Sequence, residues 1–250
     1  MALIECPECG KMISDKAEFC VGCGYPIGLT LEEDIPYEED DEITQEDFDL
    51  LTQKAEAGDV ESQWKMVHFL WDENDEMQMQ ETIKWLKIAA NNGHAESQDL
   101  LGTLYNLGDF IKQDEKEAFK WYKLSAEQGN AQAQCSLGIA YRFGIGTQKN
   151  PTLALKWLKE AAQQNNSQAL CAVGDCYFSG EGTLKNIQEA VSYWMKAAKE
   201  GDASAMYRLG DCNRFGWGVP TNVQRAIYWY TIAAENGSEE AQQALDELDI

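Results

Sequence analysis

The chain has 250 residues, enough for one or two domains with a sizeable core. Its 43 acidic residues against 20 basic ones give a formal net charge of −23. Such an excess repels phosphate backbones and anionic lipid surfaces, so neither a nucleic acid nor a membrane is an expected partner.

No run of 18 apolar residues is present, so no membrane span is expected. The opening residues MALIECPECG lack the basic and apolar regions of a secretory leader, and the expected compartment is the cytoplasm. There the eight cysteines serve as thiols or metal ligands rather than disulfides. With two histidines in the chain, His-based catalysis is not expected.

Residues 1–28 carry two Cys-x2-Cys pairs, Cys6/Cys9 and Cys20/Cys23, separated by ten residues. A tight turn puts both sulfurs of a pair on one side. Two facing turns close a tetrahedral site of four thiolates, which suits one structural Zn²⁺. The gap has room for a short hairpin covered by Met12, Ile13, Ala17 and Phe19. That cover is too small to fold unaided, so the metal must supply the folding energy, about 10–16 kcal/mol in structural zinc sites. The fragment ECPECGKMISDKAEFCVGCGYPIG resembles the short zinc-ribbon module at the N-terminus of many bacterial proteins.

Residues 29–49 hold 11 acids and no base. Like charges extend such a run, and it buries too little to order itself. Residues 29–43 are expected to be an acidic flexible linker.

The remainder repeats with a period of 36. Glycines align at 102, 138, 174 and 210, at 108, 144, 180 and 216, and at 146, 182 and 218. Aromatic residues align at Trp85, Trp121, Trp157, Tyr193 and Trp229. Asp114, Asn150, Asn186 and Asn222 form a column of helix N-cap residues. Such a period marks stacked helix-turn-helix units. In the unit 129–164 the pattern predicts one helix from Ala131 to about Phe143 and a second from Pro151 to about Gln163. Clear units are 93–128, 129–164, 165–200 and 201–236; unit 58–92 has lost its interhelix glycines. A leading helix at about 45–57 has a capping-box start at Thr44 and Asp47, and 237–250 is a capping helix. The expected solenoid domain is 44–250. The expected class is therefore all-α, an α-solenoid preceded by a small four-cysteine ribbon.

The segment AQAQCSLGIAYRFGIGTQKNPTLALKWLKEAAQQ resembles the Sel-1-like repeat, a relative of the tetratricopeptide repeat. It carries Leu137-Gly138…Tyr141, Gly144-Ile-Gly146, Asn150 and Trp157-Leu158…Ala161-Ala162. The resemblance implies a right-handed superhelix that binds a protein or peptide, a scaffold or adaptor and not an enzyme.

First-helix positions spaced i, i+4, i+7 vary from unit to unit while their neighbours repeat. That spacing lies along one helix face. Trp64, His68, Asp99, Thr103, Ile139, Arg142, Asp175, Phe178, Tyr207, Asp211 and Arg214 are therefore the candidate partner-binding residues of a concave strip. The strip is rich in aromatic and Arg side chains, which carry binding energy at interfaces. Trp64 and Trp71 have a second reading, as a seal on the degenerate unit. Cys135, Cys171, Cys176 and Cys212 lack Cys-x2-Cys spacing and read as small buried residues.

One branch of the family is cysteine-rich, secreted and linked to β-lactamase-like penicillin binding. A hydrolase of that kind is the competing reading. Ser62-Gln-Trp-Lys65 is the lone Ser-x-x-Lys match, without Lys-Thr-Gly or Ser-Asp-Asn.

Overall fold

The computed structural model describes residues 3–5, 12–14 and 45–248. Strands β1 (Leu3–Glu5) and β2 (Met12–Ser14) pair antiparallel, with Leu3 opposite Ser14, Ile4 opposite Ile13 and Glu5 opposite Met12. The two strands thus lie on either side of the first cysteine pair; the hairpin expected in the gap between the pairs, with Ala17 and Phe19, falls mostly outside the described residues. Leu3, Ile4, Met12 and Ile13 are the apolar residues that favour this pairing. All four ribbon cysteines, Thr44 and the acidic linker lie outside the described residues.

Twelve helices follow among the described residues. They are α1 (Gln45–Glu56), α2 (Val60–Phe69), α3 (Glu76–Asn91), α4 (Ala95–Leu107), α5 (Glu115–Glu127), α6 (Ala131–Phe143), α7 (Pro151–Gln163), α8 (Ser167–Ser179), α9 (Ile187–Lys199), α10 (Ala203–Phe215), α11 (Val223–Glu235) and α12 (Glu239–Asp246). Together they form a solenoid of helix-turn-helix repeats. By contact the helices divide into two units, one ending at Lys185 and one beginning at Asn186.

In the first unit, consecutive helices from α1 to α8 pack side by side. Second helices start at the expected caps. Asp114 accepts from the backbone N–H of Lys116 and Glu117, and Asn150 from that of Leu153. Pro151 occupies the first turn of α7, where its missing N–H costs nothing. First helices are capped too, by Asp59, His94, Asn130 and Asn166, and those from α4 on end at a left-handed glycine such as Gly144.

The buried seam explains the repeating residues. Leu137 and Leu158 are fully buried. A Cβ on Gly138 would stand 2.7 Å from Leu158 Cγ, so α6 and α7 touch closely only because this position is glycine. Trp157, Tyr141, Tyr105 and Phe119 pack against the cluster of Ala118, Tyr122, Ala126, Ala133 and Leu137. A second cluster around Leu86, Leu101 and Leu104 takes in Trp64, Trp71 and Trp85, so the divergent repeat is sealed by tryptophans.

The second unit holds α9 to α12. Asn186 and Asn222 cap α9 and α11. Trp194, Leu209 and Tyr230 are fully buried. The ring of Tyr230 lies where a Cβ on Gly210 would be, the same helix–helix approach as at Gly138. Helix α12 buries Ala241, Ala244 and Leu245 and exposes Glu239, Glu240, Gln242 and Gln243, as a capping helix should.

Candidate interaction face and family

The candidate positions lie on first helices, and the fold treats them unequally. On α2, Trp64 is half-buried between the two imidazoles of the chain. The His68 ring meets it edge-on at 4.4 Å, and the His94 ring lies at 5.1 Å. His68 is exposed. His94 caps α4, its Nδ1 accepting from the Ser97 backbone N–H at 3.2 Å. Its Nε2 lies 3.7 Å from a Glu61 carboxylate oxygen and 3.5 Å from one of Glu96.

On α4, the Thr103 hydroxyl donates to the Asp99 carbonyl and receives the Tyr122 hydroxyl at 3.3 Å. Asp99 is partly buried, and its buried Oδ1 has no donor among the described residues. Burial first, then the nearby Glu96 charge, push its carboxyl up to about 6.

On α6, Ile139 is partly exposed. The Arg142 side chain is 13% exposed, and its guanidinium reaches from one repeat to the next. Nε donates to Glu181 at 2.9 Å, and Nη1 lies 3.7 Å from Asp175. Lys149 also pairs with Glu181 at 2.9 Å. The Lys149 hydrogen bond and the Arg142 guanidinium hold the Glu181 carboxyl below the usual carboxylate range. On α8, Phe178 is partly exposed, with the Lys185 ammonium 5.1 Å from its ring centre.

In the second unit, Tyr207 is half-buried against the Tyr230 ring at 5.7 Å. Asp211 departs from the sequence expectation. It is buried at 7% exposure and accepts the Tyr230 hydroxyl at 2.7 Å, so it serves the fold. Arg214 ties α10 to the capping helix through Glu247 at 3.1 Å.

The strip pattern thus mixes two kinds of residue. Arg142, Asp175, Asp211 and Arg214 contribute ion pairs or hydrogen bonds to other elements of the fold, and Thr103 does so through Tyr122. Trp64, His68, Asp99, Thr103, Ile139, Phe178 and Tyr207 keep part of their surface open. Sequence reasoning missed Glu181, Lys149 and His94. The first two sit in the loop columns, and His94 shares the cap column of Asn130, Asn166 and Asp202, a signal that was readable.

Cys135, Cys171, Cys176 and Cys212 are buried free thiols. Burial pushes Cys212 up to about 12, so it is no thiolate ligand at neutral pH. Ser62 is buried in the first turn of α2, its N–H donating to the cap residue Asp59 at 2.8 Å. That is the geometry of a cap, not of an exposed nucleophile.

The Sel1-repeat model matches residues 78–94, 95–130, 131–166, 167–202 and 203–238. The chain belongs to the Sel1-repeat family. A zinc-ribbon domain model matches residues 6–27. Four cysteines in two Cys-x2-Cys pairs there are a donor set that fits a zinc ion. The curated proteins contain no match.

Solved structures agree on the solenoid. The chain is similar to a Sel1 repeat protein from Oxalobacter formigenes at 32% identity and a TM-score of 0.69, over 80% of this chain and 83% of that one. It is also similar to c5321, a protective antigen of uropathogenic Escherichia coli with the same repeat fold, at 31% identity and a TM-score of 0.70. That match covers 80% of this chain but only 43% of the antigen. The immunity protein PA5088 from Pseudomonas aeruginosa shares the fold at 22% identity and a TM-score of 0.50. Sel1-repeat solenoids are typical protein-interaction scaffolds. No described helix of this Sel1-repeat protein is long and apolar enough to cross a membrane.

Proposed function

We propose that this chain is a non-catalytic adaptor that binds a protein or peptide along the open face of its first helices. One observation supports the reading above the others. The residues that repeat in columns close the core, whereas Trp64, Thr103, Ile139, Phe178 and Tyr207 ignore the columns and keep exposed surface. Partly open aromatic side chains that no repeat column requires suit the surface of a partner. Residues 29–43 would tether the solenoid domain, 44–250, to the ribbon, 1–28. Cys6, Cys9, Cys20 and Cys23 would hold one Zn²⁺, which supplies cross-linking and no chemistry. Thiolate ligands and free buried thiols suit a reducing cytoplasm.

The test starts from a partner recovered with the full chain. Phe178→Ala and Tyr207→Ala should each weaken that complex by about 2 kcal/mol or more if they are hot spots, with little change in melting. Unchanged affinity in both variants sinks the strip. Metal analysis of the purified chain should give one zinc, lost in Cys9→Ser.

A further inference from the structure

The carboxylates on the first-helix faces have different fates. Asp175 lies near Arg142, Glu181 is paired with Arg142 and Lys149, and Asp211 accepts the Tyr230 hydroxyl. Asp99 has no side-chain hydrogen bond or ion pair among the described residues, although its Oδ1 is buried. Its column elsewhere holds Cys135, Cys171 and Tyr207, none of them charged at neutral pH. A buried acceptor without a donor destabilises the fold. The repeat scaffold does not require the acid, because other repeats do without it.

The surroundings are matched to a cation. Glu96 sits one turn before Asp99 on α4, and its charge is felt at the Asp99 carboxyl. Glu61 joins Glu96 at the His94 ring, and that ring lies against Trp64. Tyr122 faces Asp99 from α5, with a neutral hydroxyl turned to Thr103. No lysine or arginine is paired with Asp99, Glu61 or Glu96 among the described residues. Trp64 holds the Asp99 column one repeat earlier, so an indole and these acids share one first-helix face, a combination that favours an ammonium or guanidinium group.

We infer that the first-helix face of α2 and α4 receives a lysine or arginine side chain of the partner, paired with Asp99 and bordered by Glu96 and Trp64. This rests on the adaptor reading and specifies the partner's chemistry at one end of the face. Asp99 is partly exposed, so a cation can approach it without unfolding α4.

The experiment uses the full chain and two peptides, acetyl-Leu-Lys-Leu-Lys-Leu-amide and the same peptide with both lysines acetylated. NMR follows the Trp64 indole and the Asp99 carboxyl. The charged peptide should shift both signals and move the Asp99 titration to lower pH, and the acetylated one should do neither. Asp99→Asn should weaken the charged peptide about tenfold. Asp109→Asn, an exposed aspartate in the loop after α4, should not. Melting of Asp99→Asn is expected to be no lower than wild type, since a buried charge is removed. Equal binding of the two peptides overturns the cation assignment while leaving the open face intact as a docking site. Unchanged affinity in Asp99→Asn, or no movement at Trp64, overturns it as well. Signals that move on self-dilution alone would assign the face to a second copy instead.

Discussion

The first three repeats and the later ones solve one packing position in opposite ways. In α2, α4 and α6 the position is a buried glutamine, and in α8 and α10 it is Leu170 and Met206. Gln63, Gln98 and Gln134 each donate backward to a carbonyl at the end of the preceding helix, Ala55, Ala90 and Ala126 respectively. Each also accepts from the amide at the end of the following helix, Asn92, Gln128 and Gln164. Three helices are thereby tied by one side chain. Leu170 and Met206 fill the same column by apolar packing. An amide needs partners in fixed directions, so it fixes how repeats stack. An apolar side chain needs only volume.

The largest expected effect lies in what both regions share. Leu137 is fully buried at the Gly138–Leu158 approach. Leu137→Ala should cost about 2–5 kcal/mol of folding stability by leaving a cavity. Denaturant unfolding of the full chain measures it. A loss below that range would mean that neighbouring repeats collapse into the space, and that the seam is softer than its burial implies.

The next effect sharpens the contrast between Asp99 in the first region and Asp211 in the second. Folding raises the Asp99 pKa from 3.8 to about 6, so its charge is disfavoured in the folded state. The sign follows from linkage. The penalty is full above pH 6, about 2–3 kcal/mol, and fades as pH falls toward the unfolded value. Asp99→Asn should therefore be more stable than wild type by about that much at pH 7, with the advantage shrinking by pH 4. Burial raises Asp211 too, but Tyr230 donates to it, so Asp211→Asn loses a charge-assisted bond and should not stabilise. Equal pH profiles for the two variants would erase the distinction.

The amide ladder itself comes third. Gln134→Leu copies the later repeats into an earlier one. It removes two bonds, but the Ala126 carbonyl keeps the Gly129 N–H, and Gln164 keeps the Gly129 carbonyl. The cost should be about 1–2 kcal/mol, the lower part of the range for broken buried hydrogen bonds. A double-mutant cycle with Gln164→Ala isolates the coupling. Zero coupling would make the ladder a bystander.

Much of this was legible because a repeat writes its own alignment. The limits of α6 and α7, the caps Asp114 and Asn150, and the burial of Leu137 all follow from residues recurring at one spacing. The ladder was equally periodic but passed unread, since glutamine is ordinarily a surface residue. The fate of the strip was only half legible. Variation between repeats marks Arg142 and Phe178 alike, yet Arg142 is spent on Glu181, a partner 39 residues away in a loop. Asp211 was hidden for the same reason, because the hydroxyl that holds it belongs to Tyr230 on another helix. The pairing of Leu3–Glu5 with Met12–Ser14 was not legible, because three-residue strands carry too little alternation to be read.

The smallest effect separates conformation from contact. Gly93, Gly129, Gly201 and Gly237 occupy one column after the second helices, all at positive φ between 85° and 96°. None has an atom within 4 Å of where a Cβ would stand, so the demand there is for the left-handed backbone alone. Asn165 holds the same column at φ 60°. Asparagine tolerates that region better than other side-chain-bearing residues. Asn165→Gly should thus be nearly neutral. Asn165→Ala adds no clash and removes no core contact, yet should cost about 1 kcal/mol, the low end of the left-handed penalty. For a chain of this length that is a melting shift of about 2–4 °C. Gly138→Ala makes the opposite demand: its backbone is ordinary helix, but the new methyl runs into Leu158. If Asn165→Ala melts with wild type while Gly138→Ala falls, close approach rather than backbone conformation is what the repeat asks of its glycines.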